Sequence, residues 1–443
     1  MRALESVRRE ELWLIATRSF SRATDPAAET SVCLPALQDP HARDESVTLV
    51  TQLSVSRLPR FDRLLDAWDG PVSATIYLVD EHQDLATLDS YLRELSSPSR
   101  RRRQSWSRLT LTILKPSYAK DPASVVERLR YPINRLRNLA IQASSSTYLL
   151  VIDVDFVPSP DMHRLLVKGA IPLIETTSRR WASSPTLRRT AVVIPTFALA
   201  VGYDDGDEMP RTLQEVERLY RAEPQVAMLT DPNAGHGPTS PSRLFHYQQQ
   251  HSTTSSSSSS SDSYEVCYEP QWEPYYVLHR ASHPLYDERF TDQGGDKQSH
   301  ALVLNALGYE FRVLTNGGWV VHPPKTDAAS EAWPAAAAAA RAFERSALRV
   351  DAAREASPLG VEGSVEPLPP PLLTPGQEDT EQHFNLAAQR DQTRFRYFQD
   401  FLPEMELAWG KWTLRWPRGC SPGVLASGGR FFGRARPPSV FAL

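Results

Sequence analysis

The stretch "YLLVIDVDFVPSP", Tyr148 to Pro160, opens as a buried strand and then breaks its own pattern. Five apolar or aromatic residues lead into Asp153-Val154-Asp155, and prolines follow at 158 and 160. In an extended chain, residues two apart share a face, so the two carboxylates are expected side by side at the strand's carboxyl end. In open α/β sheets that end is where ligands bind. Paired carboxylate oxygens there suit Mg²⁺ or Mn²⁺ and the diphosphate of a nucleotide. The plain alternative is a solvated strand end with turn-forming carboxylates. A second alternative is a phosphatase that places D-x-D after an apolar strand. Such enzymes carry Thr two residues after the second Asp and keep the motif near the N-terminus, whereas here Val157 stands at that position, mid-chain. A second D-x-D, Asp205-Gly206-Asp207, has no strand before it.

Outward from this motif the chain alternates strand and helix signals. "VTLVTQLS" (47–54), "VSATIYLVD" (72–80), "LTLTIL" (109–114) and "AVVIP" (191–195) read as strands. "RLPRFDRLLDAWDG" (57–70), "DLATLDSYLREL" (84–95) and "YPINRLRNLAIQA" (131–143) carry helical spacing. In the last of these, Ile133, Leu136, Ala140 and Ala143 form the apolar stripe, and Asn134, Arg137 and Asn138 the polar side. The pattern predicts an α/β fold with a mostly parallel central sheet.

With 443 residues there is room for one large domain with insertions. We expect a polar N-terminal extension over 1–45, a catalytic domain over 46–325 and an Ala/Pro-rich insertion over 326–378. A helical part of the same domain follows over 379–412, with Phe395, Phe398 and Leu402 docked on the core, and a basic tail over 413–443. The serine run at 253–263 cannot bury apolar surface and reads as a disordered insertion. A net charge of −4 gives no reason to expect nucleic acid. The three cysteines, Cys33, Cys267 and Cys420, lack zinc-ligand spacing and fit a reducing compartment or a lumen with at most one disulfide. Before Val47 no apolar run approaches the ~20 residues of a membrane span, so neither signal peptide nor membrane anchor is visible.

Several segments, in order, then carry a family likeness. They are "VTLVTQLSVSRL" with "WDGPVSATIYL", "YPINRLRNLA", "LLVIDVDFVPS", "GHGPT" (235–239), "EPYYV" (273–277), "YDERF" (286–290) and "GYEFRVLTNGGWVVHPP" (308–324). On these motifs the chain resembles glycosyltransferase family 49, which holds the β-1,4-glucuronyltransferases and the C-terminal domain of the LARGE bifunctional transferases. The resemblance implies a GT-A-type fold and inverting transfer of glucuronic acid or a related sugar from a UDP-sugar to a glycan or glycoprotein acceptor. A non-catalytic relative that binds nucleotide or glycan is the alternative. It further implies Mn²⁺ or Mg²⁺ held by Asp153, Asp155 and His322. Gln52, Asn134, Arg137, Asn138, Asp153, His236 and Thr239 would line the nucleotide-sugar site. Asp296, Glu273 and Asp287 are the base candidates; Asp296 also reads as a helix N-cap. The family pattern has G-x-N-K where this chain has Gly295-Asp296-Lys297. Family members of this kind work in the Golgi lumen as type II membrane proteins. The expectation is therefore either an N-terminus that is incomplete as given or an unusual soluble member.

Overall fold

A computed structural model describes residues 29–36, 45–79, 81–96, 107–119, 122–183, 189–200, 203, 209–229, 236–252, 263–269, 272–292, 294–324 and 392–410. Two compact units divide the chain: Met1–Pro324 with Phe395–Leu443, and Lys325–Arg394. Every element named below lies in the first. The basic run at Arg100–Arg103, the second D-x-D, the proposed insertion at 326–378 and the tail at 413–443 fall outside the described residues, as do all of the serine run except Ser263.

The described strands are β1 (Thr30–Leu34), β2 (Val47–Ser54), β3 (Val72–Tyr77), β4 (Leu109–Lys115), β5 (Tyr148–Val151), β6 (Val157–Pro158), β7 (Thr190–Ile194), β8 (Thr196–Leu199), β9 (Ala227–Leu229), β10 (Ser263–Val266), β11 (Tyr275–His279), β12 (Glu310–Leu314) and β13 (Val320–His322). Nine of them form a sheet in the order β1-β4-β3-β2-β5-β11-β7-β12-β10, and β6-β13-β8-β9 form a smaller one. The block β4-β3-β2-β5 is parallel, as is β7 with β12. β1, β11 and β10 join their neighbours antiparallel, so the sheet is mixed rather than mostly parallel. β11 lies antiparallel between β5 and β7, which puts its "EPYYV" end beside the residues that follow β5.

Strand β2 is buried at every position but its last, as a central strand covered on both faces must be. The helix Leu58–Ala67 follows it after the 3₁₀ turn Val55–Arg57, with Leu58, Phe61, Leu64 and Leu65 on its buried stripe. It ends where the Arg108 guanidinium collects the carbonyls of Leu65, Trp68 and Gly70. The Leu65 carbonyl is one that a helix end leaves without an intrahelical partner, and the other two belong to the cap and the turn beyond it.

Three boundaries differ from expectation. Thr30–Leu34, inside the supposed polar extension, is the edge strand β1, paired with β4. Ser263 belongs to β10. Near the C-terminus, Tyr397–Phe401 form a π-helical turn before the helix Leu402–Trp409. That turn shifts the register, so Tyr397 and Phe401 are buried and Phe398 is 56% exposed.

Candidate active site

Strand β5 stops at Val151, so Asp153 and Asp155 lie past its end, with Val154-Asp155 in a turn closed by Phe156 N–H on the Asp153 carbonyl. The shared strand face expected for them is therefore lost, and each carboxylate has its own partners. Asp153 Oδ1 accepts from Arg137 Nη2 at 2.7 Å and from Gln52 Nε2 at 3.3 Å. Its Oδ2 accepts from Lys297 Nζ at 2.7 Å and Tyr275 Oη at 2.8 Å. Asp155 accepts from Arg57 Nη1 on both oxygens, at 2.7 and 2.8 Å, and from Arg60 Nη1 at 2.7 Å.

Arg137 is the hub. It is 1% exposed, and its Nη1 also donates to Asn134 Oδ1 at 2.8 Å and to Asp296 Oδ2 at 2.6 Å. Its guanidinium lies over the Tyr286 ring, 5.3 Å from the centroid. The polar side of the helix Ile133–Ala143 is thus not a surface face: Asn134, Arg137 and Asn138 are all buried against the 286–296 segment. Asn134 Nδ2 donates to the Asp287 carbonyl. Asn138 clips Tyr286 through both its N–H and its C=O, and it also meets Glu288.

Burial opposes charge at all of these groups, and the ion pairs decide the outcome. Burial pushes the Asp153 carboxyl up, but the neighbouring Lys297 and Arg137 charges hold it well below the usual carboxylate range. Burial works against the charged forms of Arg137 and Lys297, yet Asp153 and their other acidic neighbours hold both above their ordinary values. Glu273 has the opposite balance. Desolvation raises its carboxyl despite the Lys297 ammonium 3.2 Å away, and Gln298 Nε2 donates to it at 3.0 Å.

The remaining expected residues divide. Gln52, within β2, links Asp153 to the Tyr131 hydroxyl. His236 is 3% exposed with its ring 5.5 Å from that of Tyr275; burial and the Lys297 charge lower its pKa to about 3, which keeps it neutral. Its Nδ1 and the buried Thr239 hydroxyl have no hydrogen-bond partner. Asp287 pairs with Arg289, which continues to Glu404, so its carboxylate belongs to a surface ion-pair chain. Asp296 is not the N-cap, which is Gly295 at φ 87; its carboxylate is committed to Arg137 and to the Gly294 N–H. A Cβ on Gly295 would meet Phe290 at 2.6 Å, so the tight approach before Asp296 requires glycine. Arg57, Arg60, Tyr131, Tyr275 and Lys297 complete the site. They stood inside the quoted motifs, but only a contact across the chain reveals their roles.

The donor types of Asp153, Asp155 and His322 suit a hard divalent cation. His322 Nδ1 lies on the Pro323 carbonyl, which leaves the lone pair on Nε2, the tautomer a ligand needs. Its ring packs edge-on to Phe156. As placed, however, the three do not make a metal centre: both carboxylates are taken up by cationic donors. Among the described residues no three His, Cys, Asp or Glu side chains converge to hold a metal. A surface cavity of about 410 Å³ lined by Ser242, Arg243, His246 and Tyr247 shares no residue with this cluster.

A family model described as "Glycosyl-transferase for dystroglycan" matches residues 46–111 and 94–349, well over half of the chain. The chain belongs to this glycosyltransferase family. Mouse xylosyl- and glucuronyltransferase LARGE2 is 30% identical over 292 residues, covering 65% of this chain and 35% of the mouse protein. Bovine β-1,4-glucuronyltransferase 1 is 29% identical over 307 residues, covering 62% of this chain and 67% of the bovine one. The chain thus spans about a third of LARGE2 and two thirds of the glucuronyltransferase. Among solved structures, Staphylococcus aureus TarS 1–349 overlaps at TM-score 0.31 and 11% identity, covering 63% of this chain and 60% of that one. GalNAc-T7 with UDP, GalNAc and Mn²⁺ overlaps at 0.30 and 10%, covering 63% and 44%. Both overlaps are too loose to argue from. Membership in the family rests on the sequence match over residues 46–111 and 94–349, which takes in the segments that build the Asp153 cluster.

A buried histidine group behind the site sets an acid limit on the fold. His283 and His300 pack with ring centroids 4.9 Å apart, and His300 stacks on Tyr286. Burial lowers the His283 pKa to about 4 and holds His300 well below its ordinary value. Both rings are neutral when folded, while an unfolded chain protonates them below about 6.5. Their contribution is fully present above pH 6.5 and is lost as pH falls towards 4. For His283 alone the loss is on the order of 3 kcal/mol. Urea denaturation at a series of pH values should show stability falling across this window, with a smaller fall in His283→Asn.

Proposed function

We propose that this chain is an inverting glycosyltransferase that moves glucuronic acid or a related sugar from a UDP-sugar to a glycan acceptor, in the Golgi lumen. The observation that carries the reading is the Asp153 cluster at the carboxyl end of β5, assembled from the family's own motifs. Printed activities of the relatives, xylosyl- and glucuronyl transfer, support the choice of sugar class. Among the described residues no helix is long and apolar enough to cross a membrane. Cys267 is disulfide-bonded, which suits an oxidising lumen.

In this reading the diphosphate meets the cationic side of the cluster. Arg57 and Arg60, 42% and 29% exposed, are its most accessible cations and present planar forks suited to phosphate oxygens. Lys297 and Arg137 fix Asp153 and thereby the turn that carries Asp155. Glu273 is the base we assign. Its raised affinity for a proton suits removal of the acceptor hydroxyl's hydrogen as that oxygen attacks the anomeric carbon and UDP departs from the opposite face. All three candidates meet a cation, but Asp296 and Asp287 are held at 2.6 and 2.7 Å by arginines, against 3.2 Å from Glu273 to Lys297. Buried, partnerless polar atoms on His236 and Thr239 suit hydroxyl-rich ligands near Tyr275.

The test is a screen of UDP-sugars with glycan acceptors, reading UDP release. Asp153→Asn is expected to lower turnover at least ~100-fold while the circular dichroism spectrum is kept. A folded Asp153→Asn protein with full activity would remove the site from the mechanism. Nucleotide binding without turnover of any donor would favour the non-catalytic alternative.

A further inference from the structure

Three consecutive residues open the helix Asp296–Ala306, and each reaches a different part of the candidate site. Asp296 accepts from Arg137 at 2.6 Å, Lys297 donates to Asp153 at 2.7 Å, and Gln298 donates to Glu273 at 3.0 Å. The place and tilt of this one turn therefore set Asp153 and the assigned base together. Polar side chains fix the turn on the side of the site. On its other side the contacts are aromatic and come from far along the chain.

Gly295, just before the turn, leaves an open face that the Phe290 ring and Tyr397 fill. A Cβ built there would lie 2.6 Å from the ring and 2.9 Å from the Tyr397 Cβ. Phe290 is fully buried, and two rings of the C-terminal segment hold it, Phe395 at 4.9 Å and Phe401 at 5.4 Å between centroids. The Arg289 guanidinium lies 4.2 Å from the Phe395 centroid and pairs with Glu404 at 2.9 Å. The π-helical turn Tyr397–Phe401 is what buries both of its end residues. Close-packed side chains transmit displacement rather than absorb it. A shift of Phe395 therefore moves Phe290, and Phe290 moves Gly295.

We propose that the segment 395–401 is a strut that seats the first turn of the helix Asp296–Ala306. Phe395 is then a positioning residue, acting on Lys297 and Gln298 through Phe290 and Gly295. Its effect on turnover rests on the transferase reading of the site; the seating of the turn stands without that reading.

The test is Phe395→Ala in the full chain, a half-buried ring whose loss should leave the fold intact. The Ser299 amide donates to the Gly295 carbonyl at 2.9 Å, so hydrogen–deuterium exchange there reports opening of the turn. Exchange over residues 299–301 is expected to be at least about tenfold faster than in the natural chain, with residues 49–51 of β2 unchanged. Turnover of a UDP-sugar should show kcat down by about 10–100-fold with the donor KM within about twofold, the signature of misplaced groups rather than lost binding. Phe395→Leu, which keeps apolar bulk against Phe290, should restore most of both. Unchanged exchange over 299–301 would overturn the strut, and so would equal acceleration in β2, which would make Phe395 a contributor to global stability alone. A loosened turn with unchanged kcat would overturn the positioning role. If the natural chain turns over no donor, the transferase reading fails, and the exchange comparison still decides the strut. Should Phe395→Ala not fold, Glu404→Gln carries the same comparison: that side chain is 53% exposed, and a smaller rise confined to 299–301 is expected, its absence counting against the strut.

Discussion

Arg137→Met is expected to lower the stability of the folded domain by about 3–5 kcal/mol. The arginine is 1% exposed and joins Asp153 to Asp296, with Asn134 completing its bonds. Methionine fills a similar volume but leaves two carboxylates facing each other with one of their cations gone. Lys297 still reaches Asp153, so the uncompensated charge falls mainly on Asp296, which is 4% exposed. Adding Asp296→Asn, which removes that charge, should recover about 1–2 kcal/mol of the loss, the cost of a buried unpaired group. Urea denaturation followed by circular dichroism measures both effects. A loss below about 1 kcal/mol would mean that the ion pairs do no more than break even with an apolar side chain.

Glu273→Gln is expected to reduce turnover by about 10²–10⁴-fold, the usual range for losing a general base. Glutamine keeps the shape and can still meet Gln298 and Lys297, so UDP binding should change little. The pH profile supplies a second readout. Desolvation raises the Glu273 carboxyl, so the rate should climb with pH along a limb displaced above the ordinary glutamate value, and the variant should lack that limb. A Glu273→Gln protein with unchanged turnover and an unchanged acid limb would pass the role to another group.

What could be read from the chain alone follows from how local each signal is. Strand β2, the helix after it and the helix Ile133–Ala143 announce themselves through period and β-branching, because burial on both faces or on one stripe writes itself into consecutive residues. The carboxylate pair was visible for the same reason. The roles of its partners were not. Lys297 lies 144 residues from Asp153 and Arg57 lies 98 from Asp155, and no pattern within a segment encodes such meetings. Arg137 was legible only in part: spacing sets it on the polar side of its helix, while the partners that bury it come from distant segments of the chain. Likewise β1 was missed because an edge strand is only half covered and its TSVCL sequence is short.

That edge strand has a practical consequence. Cutting the chain just ahead of Val47, where composition places the boundary, would strip β1 from β4 and expose a run of unpaired backbone N–H and C=O groups along Leu111–Lys115. Bare edges of this kind recruit strands from neighbouring molecules. A shortened protein beginning near residue 46 should therefore self-associate in solution, and one that retains Glu29–Ala36 should stay dispersed.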